Sequence, residues 1–274
     1  MDKPSRTQAQ RTTGEAMKQT KRAWASRQRR LQRLADNGNL DAVSELGLLL
    51  LEGIQYSKKG CLVRRNLKKG LRLLKYAAES GEKSAFFPLA CAFDCGSGVE
   101  KNEREALRWY HRSVKDGDGH AATNISTIYR DAGNLEMAFK WLCRARDMGD
   151  VDAAECVGYC YQLGIGVKQN LKLAEQAYRS VIKSKSKYIT EWARQEAMYN
   201  CAVILIQKKA TPAALREAEC LLRRANIDDD YPQARKLLRS LEAGKIVKPC
   251  LCRATLAGNL AKRWCPIHGK TFQE

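Results

Sequence analysis

The sequence predicts an all-α protein, a solenoid of stacked helix pairs followed by a small C-terminal Cys/His tail. Three observations carry this. A five-residue phrase occurs four times between residues 38 and 153. The apolar residues between its copies fall at helical spacing. Apolar residues make up 44% of the 274, enough for a core, yet no run of 18 exists to cross a membrane as a helix.

The phrase is glycine, two residues, a polar residue, then alanine. It reads Gly38-Asn39-Leu40-Asp41-Ala42, Gly81-Glu82-Lys83-Ser84-Ala85, Gly117-Asp118-Gly119-His120-Ala121 and Gly149-Asp150-Val151-Asp152-Ala153, at intervals of 43, 36 and 32 residues. A second phrase precedes most of these glycines. Ala106-Leu107-Arg108-Trp109-Tyr110 matches Ala138-Phe139-Lys140-Trp141-Leu142, and Gly70-Leu71-Arg72-Leu73-Leu74 is the same with glycine at its head. A third, Gly96-Ser97-Gly98-Val99, returns as Gly164-Ile165-Gly166-Val167. No strand signal precedes either copy, so the paired glycines are loops needing positive φ rather than phosphate cradles.

The elements follow in order. Trp24, Leu31, Leu34 and Ala35 form a stripe that predicts a capping helix, with Lys21, Arg22, Arg29, Arg30 and Arg33 on its other face. The first full unit carries an insertion, Ile54 to Val63. In the next unit the first helix is expected over Ala85 to Cys95, and the second over Glu103 to Lys115. Ala106, Trp109, Tyr110 and Val114 give that second helix its stripe, and Gly117 ends it. The unit from Gly117 lacks the double-glycine loop and has only Ala132-Gly133-Asn134. After a polar spacer, Lys183 to Lys187, a fifth unit runs from Trp192 to Ala225, and a last helix spans Tyr231 to Leu241. A single unit would leave its apolar face bare; stacked units bury it and produce a concave surface.

These phrases together resemble Sel1-like repeats, relatives of the tetratricopeptide repeat. The likeness covers residues 38–183 closely and 190–241 loosely, and Ala153 to Val167 is the nearest match. It implies a right-handed α-α superhelix. It also implies a non-enzymatic adaptor or scaffold that grips a protein or peptide partner in the groove. The domain boundaries expected are a basic disordered arm over 1–20, the repeats over 21–241, and a basic tail over 242–274.

The chain has eleven cysteines, an odd number scattered through helical patterns, which fits reduced thiols in a reducing compartment. Cys91 and Cys95 are four apart, as are Cys156 and Cys160. That spacing puts both thiols of a pair on one helix face, but no third metal ligand stands at a suitable distance. They are read as small core residues, as are Cys61, Cys143, Cys201 and Cys220. The tail differs: Cys250-Leu251-Cys252, twelve residues, then Cys265-Pro266-Ile267-His268. Three thiolates and one imidazole make a tetrahedral set for a structural zinc, and a segment with so few apolar residues needs metal to fold. The other readings are an unstructured basic tail with free thiols, and a redox or disulfide role for those thiols.

Net charge is +19, of which residues 1–35 supply +8 and residues 243–274 supply +5. Such ends suit nucleic acid or another acidic partner, or serve only as solubilising tails. The alternative function is therefore a nucleic-acid-associated regulator using the basic termini, with Trp24 and Trp264, and the zinc module. No Walker loop, nucleophile elbow or H-E-x-x-H stands in the chain. His111 and His120 read as structural, and Asp228-Asp229-Asp230 as a solvated loop. The basic, polar N-terminus lacks a secretory core, so a cytoplasmic chain is expected, with a mitochondrial leader the lesser alternative.

Overall fold

The computed structural model describes residues 22–57, 60–187, 189–208, 211–227 and 231–243. They form twelve helices and one hairpin: α1 over 22–36, α2 Leu40–Glu52, β1 Ile54–Ser57, β2 Gly60–Val63, α3 Leu67–Glu79, α4 Phe86–Cys95 after one 3-10 turn, α5 Glu103–Lys115, α6 Gly119–Asp131, α7 Leu135–Asp147, α8 Val151–Leu163, α9 Leu171–Lys183, α10 Glu191–Lys208, α11 Pro212–Ala225 and α12 Pro232–Glu242. The chain divides into two compact units, Met1–Asp116 and Gly117–Glu274.

In the first unit α2 packs on α3 and α4 on α5. Gly47 and Gly70 let α2 and α3 approach closely: a Cβ on Gly70 would stand 2.7 Å from the Gly47 carbonyl oxygen. Leu31 of α1 is buried, and Ala35 packs against the core of Leu46, Leu50 and Val63. Trp109 and Tyr110 are buried on α5, and the Tyr110 hydroxyl donates to Asp94 of α4 at 3.2 Å.

The insertion after α2 adds the one non-helical element among the described residues to an otherwise all-helical fold. It is an antiparallel hairpin, pairing Ile54 with Val63 and Gln55 with Cys61. β-branched and aromatic residues on either side of Lys58-Lys59-Gly60 carry the strand signal.

In the second unit α6 pairs with α7, α8 with α9 and α10 with α11, and α12 closes on α11. α10 packs against both α9 and α11 and is buried from Gln195 through Ile206. Ion pairs from Glu175 to Arg179 and Lys208, and from Arg179 to Glu217, tie α9 to α10 and α11.

One device opens every second helix of the first four pairs. Asn66, Asn102, Asn134 and Asn170 accept, through their side chains, a backbone N–H in the first turn of α3, α5, α7 and α9. Each also donates its own N–H to a carbonyl late in the preceding first helix: Leu50, Phe93, Tyr129 and Tyr161, at 2.8–2.9 Å. The paired-glycine loops take positive φ as expected. Gly98 and Gly166 (φ 79° and 65°) press on the start of the previous pair's second helix. A Cβ at Gly166 would fall 2.0 Å from the Leu135 carbonyl oxygen.

Candidate partner-binding face

The second helix of each pair is more basic than the first: α2, α4 and α8 are net acidic and α6 and α10 neutral, while their partners are all net basic. The first helices, α2, α4, α6, α8 and α10, hold three basic residues (Arg130, Arg194 and Lys208) against nine acidic ones. The second helices, α3, α5, α7, α9 and α11, hold seventeen basic residues against eight acidic ones. In a chain of net charge +19, the first helices thus sum to a negative charge within each unit: −4 over α2 and α4, and −2 over α6, α8 and α10.

In the second unit the first helices gather polar groups around α8. Asp150 caps α8, accepting from the N–H groups of Asp152 and Ala153. It also accepts from the Thr123 hydroxyl at 2.6 Å and lies 3.3 Å from Nδ1 of His120. His120, expected to be structural, is exposed but tied to this cap. Burial raises the Asp152 carboxyl above its ordinary range, the charge of Asp150 adds to this, and His120 opposes it.

One step further along, Glu155 of α8 meets Glu196 of α10, and the two carboxyls share a hydrogen bond. Glu196 is 3% exposed and Glu155 is half-buried. Two adjacent carboxylates in such a site resist ionising together, so one keeps its proton. Burial pushes both upward. Glu155 rises well above the usual range, with the Glu196 charge adding to the effect, while hydrogen bonds from Glu155 and the Trp192 indole hold Glu196 to about 7. The proton therefore resides chiefly on Glu155. Tyr231, at the start of α12, packs its ring against Trp192 at 5.3 Å and Tyr199 at 5.6 Å, and is electrostatically coupled to both glutamates. Among the described residues, Glu196 Oε1, Asn200 Oδ1 and the Tyr231 hydroxyl have no hydrogen-bond partner, although all three residues are buried.

This cluster escaped the sequence reading, but a signal stood in the repeat. Two residues past the repeated alanine the other units carry Ser44, Phe87 and Thr123; only the fourth places a charge there, Glu155.

Cys250, Cys252, Cys265 and His268, the expected zinc ligands, lie outside the described residues, as does Asp228-Asp229-Asp230. Among the described residues no three His, Cys, Asp or Glu side chains gather to hold a metal ion. Cys156, Cys160 and Cys201 are buried as expected, and burial raises their thiols above the ordinary range. Cys95 and Cys220 correct the core reading: both are exposed, at the end of α4 and on α11. No helix among the described residues is long and apolar enough to cross a membrane.

A family model for the Sel1 repeat matches residues 40–82, 89–118, 130–150 and 152–176. Among solved structures, the chain is similar to a Sel1 repeat protein from Oxalobacter formigenes, with TM-score 0.55 and 20% identity over 83% of this chain and 93% of that one. It is also similar to c5321, a protective antigen of uropathogenic Escherichia coli strains displaying an SLR fold. That likeness has TM-score 0.51 and 16% identity over 85% of this chain and 63% of the antigen. At these identities the likeness concerns the fold.

Proposed function

This chain belongs to the Sel1 repeat family, whose repeats generally serve as scaffolds for protein interaction, and from that premise we propose that it is a non-enzymatic adaptor whose acidic first helices bind a basic segment of a partner protein. The observation that carries this reading is the segregation of charge between the two helices of each pair. A basic chain whose first helices are acidic offers those helices to cationic side chains and repels cations elsewhere, which sets partner choice and encounter rate. Buried, unreactive thiols on α8 and α10 suit a reducing, cytoplasmic setting.

The test is fluorescence anisotropy with a labelled lysine-rich peptide of about ten residues, beside its glutamate counterpart, at low salt. The lysine peptide should bind and the glutamate peptide should not. Charge reversal by Asp131→Lys with Asp152→Lys should weaken binding about tenfold. Equal binding by wild type and the reversed variant would overturn the reading.

The tail is proposed to hold one structural zinc through Cys250, Cys252, Cys265 and His268. Elemental analysis of untagged protein should find about one zinc per chain, lost in Cys250→Ser/Cys265→Ser. Metal-free wild type would dismiss the site. The exposed arginines of α1 (Arg22, Arg29, Arg30 and Arg33) support the second reading, nucleic acid held at the basic ends. It requires steeply salt-dependent binding of a labelled duplex, and no binding at low salt removes it.

A further inference from the structure

We infer that Glu155 and Glu196, with Tyr231 and Trp192 beside them, form a receptor for the primary ammonium group of a lysine side chain, which takes the place of the proton the two carboxyls share. The inference rests on the reading that the acidic first helices take a basic segment, and names the group received at one point of them.

The chemistry of the cluster asks for a donor. The glutamates come from different helices, α8 and α10, and face each other in a buried setting. Glu196 is 3% exposed and Tyr231 0%, yet Glu196 Oε1 and the Tyr231 hydroxyl have no partner among the described residues. Asn200, one turn along α10 from Glu196, leaves its carbonyl oxygen Oδ1 similarly unpaired at 1% exposure. Buried polar atoms without partners cost free energy, and Glu196 Oε1 and the Tyr231 hydroxyl, on residues coupled to each other, both call for a partner the described residues do not supply. A metal ion fits poorly, since among the described residues no three His, Cys, Asp or Glu side chains stand so as to hold one. An ammonium fits better: it is compact and offers three N–H donors, for two carboxylates and one phenol oxygen. Trp192 is 40% exposed and its ring lies against Tyr231, so the cluster has an aromatic lip for the methylene stem.

Charge balances through the exchange. Unbound, the pair holds one carboxylate and one carboxylic acid, net −1. Bound, two carboxylates and one ammonium again sum to −1, and the displaced proton passes to solvent. The groups facing the pair do not supply a competing cation. They are Asp152 and Cys156 on α8, Tyr178 on α9, Tyr199 on α10 and Tyr231 before α12, with His120 reaching only Asp152. Binding should therefore tighten as pH rises through neutrality.

The experiment uses the full chain with 13C-labelled glutamate, titrated with n-butylammonium chloride against matched sodium chloride and tetramethylammonium chloride. Butylammonium alone should give saturable shifts at the Glu196 carboxyl carbon and the Trp192 indole N–H, and lower the carboxyl titration midpoint by about one pH unit. Tyr231→Phe, which keeps the ring, should weaken binding several-fold. Glu155→Gln/Glu196→Gln should abolish it with no loss of thermal midpoint at pH 8. Shifts equal to those in sodium chloride, or persisting in the double variant, would overturn the receptor. If the lysine peptide still binds wild type and the double variant alike, the acidic-helix reading survives without it. If butylammonium binds but the peptide does not, the receptor stands and the acidic-helix reading falls.

Discussion

Glu196 shows what one side chain contributes when its surroundings oppose its charge. Its folded carboxyl sits at about 7 against an ordinary 4.5. The folded state thus holds the proton more tightly than the unfolded chain, so stability is fullest below about 4.5 and falls as pH rises through about 7. At about 1.4 kcal/mol per unit, the full loss is somewhat over 3 kcal/mol, to order of magnitude. Urea unfolding at pH 5 and pH 8 should show it, and Glu196→Gln should flatten the difference and stabilise the protein at pH 8 by about 2 kcal/mol. A variant that tracks wild type at both pH values would refute this account. Gly166 makes a steric counterpart. Its added Cβ would strike the Leu135 carbonyl, whereas at Gly38 the same atom meets nothing within 4 Å. Both glycines have positive φ, so the comparison isolates the clash. Gly166→Ala should cost at least about 2 kcal/mol more than Gly38→Ala in the same unfolding measurement.

Among elements, α5 was legible to the residue: Glu103 to Lys115 is both expectation and structure, because the Trp109-Tyr110 stripe and Gly117 mark its face and end. The fifth pair and the last helix were legible for the same reason. The hairpin was not, because a search for a repeating unit treats an insertion as an interruption and gives its own periodicity no weight. Cys95 and Cys220 misled because cysteine at helical spacing does not say which face it occupies. The asparagines at 66, 102, 134 and 170 were in plain view but separated from the repeat phrases by loops of unequal length. Asn102→Ala and Asn170→Ala should each cost about 1 kcal/mol, since the first turn loses its acceptor. Circular dichroism melts would register this, and unchanged midpoints would show that the loops, not the caps, begin those helices.

At the scale of the molecule, the repeat and its fold class were legible because identical phrases at regular intervals report identical packing. The candidate site was not. Glu155 and Glu196 are separated by 40 intervening residues, and only the packing of α8 near α10 brings them together. Net charge also pointed elsewhere. The +19 total drew attention to the ends, while the opposite summed signs of the first and second helices appear only once each residue is assigned to its helix. Binding of the lysine peptide should accordingly weaken steeply between low and physiological salt, as screening shortens to about 8 Å. Salt-independent affinity would place the contact in apolar packing instead.

The asparagine clasp has one more consequence. Because a single residue both completes the end of one helix and starts the next, the segment between can vary from three residues, before Leu135, to fourteen, before Leu67, without altering how the two helices meet. Each such segment is then a cassette. Evolution can lengthen, exchange or decorate it while the helices stay put, and the stretch from Gly53 to Arg65 is where this chain has used that liberty and where a foreign epitope could be spliced in.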